Sequence, residues 1–225
     1  MRYLLALMLV WPGLAQEREL GDAKERAIGQ SLAREIQRQT TTIHSPPIQA
    51  YVERLVAKLD PGGTFTVDLV RNTETAANPT HEPVAIPGGA LFVSAGLIEA
   101  SSEEAELVGM LAHAMAHVRA RHGIRQATRG QIANLSTIPL IFMGSQAGGM
   151  VPLGFIEIQR GFESQADQMA VETLVKVGYD PFSLAGYIRR MQPELSEDRQ
   201  RFSPLPARAE RVAAIEAEAR RLSRR

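Results

Sequence analysis

SSEEAELVGMLAHAMAHVRARH, residues 101–122, carries its apolar side chains at helical spacing. Leu107, Leu111, Met115 and Val118 recur three and four apart, the periodicity of an amphipathic helix. Ser101 with Glu104 three positions on has the form of a capping box at a helix start. Arg119, Arg121 and His122 fill the expected last turn, and Gly123 supplies the expected stop. His113 and His117 stand four apart on this helix. Side chains at that separation share a face, so both imidazoles can reach a single metal ion.

The local motif is H-A-M-A-H. The zinc-hydrolase motif is H-E-x-x-H, whose second position is the general base for a metal-held water. Here that position is Ala114. The spacing for a metal is present and one part of the hydrolytic chemistry is missing. Ala is the best helix former, so the substitution sits easily in the helix.

Catalytic zinc takes three protein ligands and an open position. The chain has no cysteine, so ligands must come from His and carboxylates, and no disulfide is possible. The segment 161–167, GFESQAD, places Glu163 and Asp167 four apart. Glu163 is the candidate third ligand. Asp167, one turn on, can accept the N–H of a ligating imidazole and fix its tautomer, with His113 the expected recipient.

Working outward, residues 23–39 read as a helix with Ala27, Ile28, Leu32 and Ile36 inward, started by Asp22 and Glu25. Ser45-Pro46 opens a second helix. Ile48, Tyr51, Val52, Leu55, Val56 and Leu59 form its stripe, and Asp60-Pro61-Gly62-Gly63 ends it. Residues 64–72, TFTVDLVRN, alternate as a half-buried strand does. Residues 73–83 read as a polar loop. Val84-Ala85-Ile86 and Leu91-Phe92-Val93 read as two short strands around Pro87-Gly88-Gly89. Residues 155–177, 181–191 and 207–222 read as three further helices. These signals give an α+β class, mostly helical with a small sheet.

The 225 residues suffice for one domain with a core. Lys+Arg and Asp+Glu both number 25, so charge gives no reason to expect a nucleic-acid partner. The opening residues MRYLLALMLVWPGLAQE have a basic start, a short apolar run and small residues at Gly13 and Ala15. That is the form of a signal peptide over residues 1–15, followed by one domain over 16–225. The expected address is therefore outside the cytoplasm, periplasmic or extracellular. Residues 124–156 form an insert, without charge between Arg129 and Glu157. Its two prolines and several glycines argue against a straight membrane-spanning helix and for an apolar flap.

Taken together, Pro87-Gly88-Gly89, Phe92-Val93, Gly96-Leu97-Ile98, Glu104, residues 107–122, Arg160, Phe162, Glu163, Ala166 and Asp167 resemble the zinc peptidase family of HtpX, the CAAX prenyl proteases and the BepA-like periplasmic peptidases. The resemblance implies a gluzincin centre holding one Zn²⁺ through His113, His117 and Glu163. It implies a zincin-like fold with a small antiparallel sheet whose edge strand, Ala85, Ile86, Pro87, Gly88 and Gly89, lines the cleft. A polypeptide substrate would add to that edge. The implied activity is a metalloendopeptidase of the cell envelope, impaired here because Ala114 replaces the base. A pseudopeptidase that binds without cutting is the alternative.

The chain departs from that family at two further places. Leu205, in Pro204-Leu205-Pro206 ahead of Glu210-Arg211, stands where the family often has a polar Thr-His-Pro. His81-Glu82-Pro83 precedes the edge strand, where Asn is usual. His81 and Glu82 could reach the cleft as substitute bases, although most loop His and Glu residues are simply solvated.

Overall fold

The computed structural model describes residues 12–71, 80–128 and 153–224. Within them lie helices α1 (Pro12–Gln39), α2 (Pro46–Leu59), α3 (Ala95–Ala100), α4 (Glu104–Arg119), α5 (His122–Thr128), α6 (Leu153–Val177), α7 (Ser183–Met191), α8 (Glu197–Arg201) and α9 (Arg208–Ser223). The strands are β1 (Thr66–Val70), β2 (Val84–Ala85) and β3 (Ala90–Ser94). The class is α+β, mostly helical, as the periodicities imply.

The sheet runs β1-β3-β2. Its β2–β3 pair is the expected hairpin, with Val84 opposite Phe92 and Ala85 opposite Leu91. Gly88 and Gly89 turn it at φ 88° and 93°, a region that favours glycine. A Cβ on Gly89 would also stand 2.2 Å from the Thr64 carbonyl oxygen, so only glycine fits there. The β1–β3 pair is parallel, from Thr66 opposite Ala90 to Val70 opposite Ser94. The sheet is therefore mixed, not wholly antiparallel. The hairpin reverses the chain once, and β3 then inserts between β2 and β1 in the direction of β1.

Central β3 is apolar on both faces because both are covered. On one, Phe92 joins Leu32 and Ile36 of α1 with Val70, Val84 and Ile86. On the other, Leu91 and Val93 join the main core with α2, α4, α6, α7 and α9. Helix α4 is enclosed so fully that all residues from Glu106 to Ala116 are buried. Its stripe was expected to be narrower. Gly109 makes room for one neighbour: a Cβ there would meet Leu184 of α7 at 3.3 Å.

Several expected helix ends move. Helix α1 begins at Pro12, so Asp22 and Glu25 lie inside it, and so does Ala15, the expected cleavage point. Ser101 closes α3 rather than opening α4, its hydroxyl donating to the Leu97 carbonyl at 2.8 Å. Glu106 does the expected capping work on the other side, accepting from the Ser102 N–H at 2.7 Å. Glu104 instead accepts from the Tyr51 hydroxyl at 3.1 Å and from Tyr179. At the far end Arg121, not Gly123, takes the left-handed turn (φ 54°), and His122 opens α5. Residues 1–11 and most of the insert (129–152) lie outside the described residues, as does most of the polar loop (72–79). No described helix is long and apolar enough to cross a membrane.

Candidate metal centre

Helix α4 brings His113 and His117 to one face, with their Nε2 atoms 3.1 Å apart. Helix α6 packs along α4 and brings Glu163 opposite them. Glu163 Oε2 lies 3.4 Å from His113 Nε2, and Oε1 lies 3.6 Å from His117 Nε2. A fourth group enters from the segment before β2: Glu82 Oε1 is 2.8 Å from His113 Nε2. One ligand atom from each of Glu82, His113, His117 and Glu163 lies within 4.8 Å of the other three. Glu163 Oε2 is buried with no hydrogen bond to satisfy it. A buried carboxylate oxygen facing imidazole nitrogens is what a divalent cation site leaves exposed, so the donors fit the metal that the spacing implies.

The outer faces of both imidazoles are held. His113 Nδ1 lies 2.8 Å from Asp167 Oδ1, a charge contact without hydrogen-bond geometry. Asp167 is held in turn by Arg211 of α9. Arg211 Nε donates to Oδ2 at 2.8 Å and Nη2 to Oδ1 at 2.9 Å, a bidentate fork. A further bond runs from Arg211 Nη1 to Gln192 Oε1 at 3.2 Å. Arg211 and Asp167 are both buried. Burial alone would raise the Asp167 pKa, but the charges of Arg211 and His113 hold its carboxyl well below the usual range.

His117 is steadied by His122, which spacing had assigned to a helix terminus. Their Nδ1 atoms are 3.2 Å apart, and His122 Nε2 is 3.0 Å from Gln165 Oε1. If His117 turns Nε2 toward the cluster, its Nδ1–H donates to His122 Nδ1. The His122 Nε2–H then donates to Gln165. His122 is buried and stacks on Phe162, ring centroids 4.4 Å apart. Burial pushes its pKa down to about 4, so it is a neutral relay and not a cation at a helix end. A signal for it existed in the sequence, five residues past His117, but its partners Phe162 and Gln165 come from another helix.

Burial also lowers the pKa of His117. His113 differs: burial lowers it, yet the facing Glu82 and Asp167 raise it well above an ordinary histidine. A cation binding at Nε2 competes with that proton.

Ala114 is buried on α4 between the two histidines and offers no carboxylate. The expected edge strand divides. Ala85 of β2 is buried at the sheet edge on the α4 side, and the following Ile86 is buried in the cluster against α1. Pro87 and Gly88 sit under α1, where a Cβ on Gly29 would overlap the Pro87 carbonyl oxygen at 1.6 Å. Leu205 lies in the loop before α9, where its backbone N–H donates to Ser203 Oγ at 3.1 Å.

The sequence matches the model of Peptidase family M48 over residues 42–219. It is 27% identical over 188 residues to the beta-barrel assembly-enhancing protease of Yersinia pestis, covering 75% of this chain and 37% of that protein. It is 25% identical over 208 residues to the protein of the same name in Escherichia coli K12, covering 83% and 40%. The mitochondrial metalloendopeptidase OMA1 of Schizosaccharomyces pombe is 26% identical over 140 residues, covering 60% and 41%. The chain thus spans about two fifths of the length of these relatives.

Proposed function

The chain belongs to Peptidase family M48, and from that premise we propose that it is a zinc metalloendopeptidase domain of the cell envelope whose turnover is strongly slowed by Ala114. His113, His117 and Glu163 would hold the zinc. The observation that carries the reading is their convergence from two helices around the unsatisfied Glu163 oxygen. When bound, zinc supplies a Lewis acid and makes water acidic enough to attack a carbonyl.

The remaining work falls to the chain. Asp167 and His122 keep each imidazole turned with Nε2 inward, and Arg211 keeps Asp167 ionised. The edge of β2 at Ala85 and Ile86 is where an extended polypeptide would pair, backbone to backbone. Unfolded or envelope polypeptides are the proposed substrates. The names of the relatives, which speak of β-barrel assembly, and the signal-like residues 1–15 support export.

A second reading is a domain that holds polypeptides without cleaving them. Ala114 favours it, because no carboxylate occupies the position of the base.

Zinc content tests the centre. Wild type is expected to hold one equivalent after dialysis, and His113→Ala and Glu163→Ala to hold none. Retention of metal by both variants would overturn the ligand assignment.

A further inference from the structure

We propose that Glu82 is a fourth protein ligand, making the centre a closed two-histidine, two-glutamate site rather than an open three-ligand one. The inference rests on the metal-centre reading above and adds a second cause of slow turnover, because Glu82 would fill the position a zinc-held water needs.

Position comes first. Glu82 Oε1 touches the ligating nitrogen of His113 at 2.8 Å, nearer than Glu163 does at 3.4 Å. A general base stands one water away from the metal. Glu82 stands among the ligand atoms themselves. A tetrahedral zinc with bonds near 2.0–2.2 Å separates its ligands by about 3.3 Å. Four of the six pairwise contacts among these groups, taken through both oxygens of Glu163, run from 2.8 to 3.6 Å, and one ligand atom from each group lies within 4.8 Å of the other three.

The backbone also holds Glu82 in place. His81 before it is in the left-handed region (φ 50°), uncommon for a residue with a side chain. Such conformations concentrate at functional sites. Pro83 after it keeps Glu82 out of the helical region. Thr80 is buried, and its carbonyl accepts from the Tyr187 hydroxyl at 2.9 Å. Glu82 is thus held between an anchored carbonyl and a proline.

Charge agrees. Glu82, Glu163 and Asp167 bring three carboxylates around His113, and Arg211 brings one guanidinium. With neutral imidazoles the surplus is two negative charges, which one divalent cation cancels. Four protein ligands are the mark of structural zinc sites, three that of catalytic ones.

The test measures zinc affinity by chelator competition and the visible spectrum of the cobalt(II) form. It uses wild type, Glu82→Ala, Glu82→Gln and His113→Ala. The proposal expects Glu82→Ala and Glu82→Gln to bind zinc at least 10-fold more weakly than wild type. It also expects the cobalt bands of both to change and to respond to added thiocyanate, while the wild-type bands do not. Unchanged affinity and superposable spectra in the Glu82 variants, with metal lost in His113→Ala, would overturn the fourth ligand and leave the centre standing. Unchanged affinity with hydrolysis lost in both Glu82→Ala and Glu82→Gln would overturn it in favour of a base. Metal retained by His113→Ala would overturn the centre and the fourth ligand together.

Discussion

Ala114→Glu, made together with Glu82→Gln, is expected to raise cleavage of an unstructured protein by about 100- to 10,000-fold, the contribution of a positioned general base. At about 1.36 kcal/mol per decade, that lowers the barrier by about 3 to 5 kcal/mol. Position 114 is three residues before His117 on the enclosed helix α4, a spacing at which side chains are neighbours on the helix surface, so a carboxylate there is within helical reach of the centre. The single change is expected to gain much less. A new carboxylate would meet Glu82 and Glu163 in a partly buried space, where like charges repel, and Glu82 would still fill the fourth position. The measurement is kcat/KM for the two single variants, the double variant and wild type, read as a double-mutant cycle. Equal gain with and without Glu82 would remove the closed-site argument. No gain in a zinc-loaded double variant would remove the peptidase reading and leave the non-cleaving binder.

Arg211→Met is expected to lower folding stability by about 3–5 kcal/mol, the usual result of removing one partner from a buried ion pair. The apolar stem is roughly retained, so the loss is mainly electrostatic. Asp167 would be left buried with its carboxylate supported only by His113. The direction with pH follows. Because Asp167 has a depressed pKa in the folded state, its contribution is complete above the unfolded value of about 3.9 and is lost as pH falls below it. Without Arg211 the folded pKa rises, so less of the pH-dependent contribution remains. Urea melts at pH 7 and pH 3 check both. Arg211→Met should lie well below wild type at pH 7, and the gap should narrow at pH 3. A loss under 1 kcal/mol at pH 7 would mean that the fork contributes little.

The elements that were legible in the sequence are those set by local spacing. Helix α2 starts at Ser45-Pro46 and ends before Asp60 as read, because proline and the turn residues act on their neighbours alone. The β2–β3 hairpin follows from two glycines at positive φ. The pairs His113/His117 and Glu163/Asp167 follow from the helical repeat. Misread features depended on what came near. Ser101 has the form of a start for α4, yet its hydroxyl finds the Leu97 carbonyl of α3 first. His122 looks like a dipole-favoured cation, until Phe162 and Gln165 arrive from α6 and enclose it.

By itself the sequence determined which side chains share a helical face, that a metal could use only histidine and carboxylate, and that the usual base is absent. These are properties of a regular repeat and of composition, which need no neighbour. Only the tertiary structure decided that β1 runs parallel to β3 and that Arg211 forks onto Asp167. It alone placed Glu82 against His113. Each depends on segments far apart in the chain meeting in a shared interior, where desolvated charges must be matched, and no local pattern encodes that meeting.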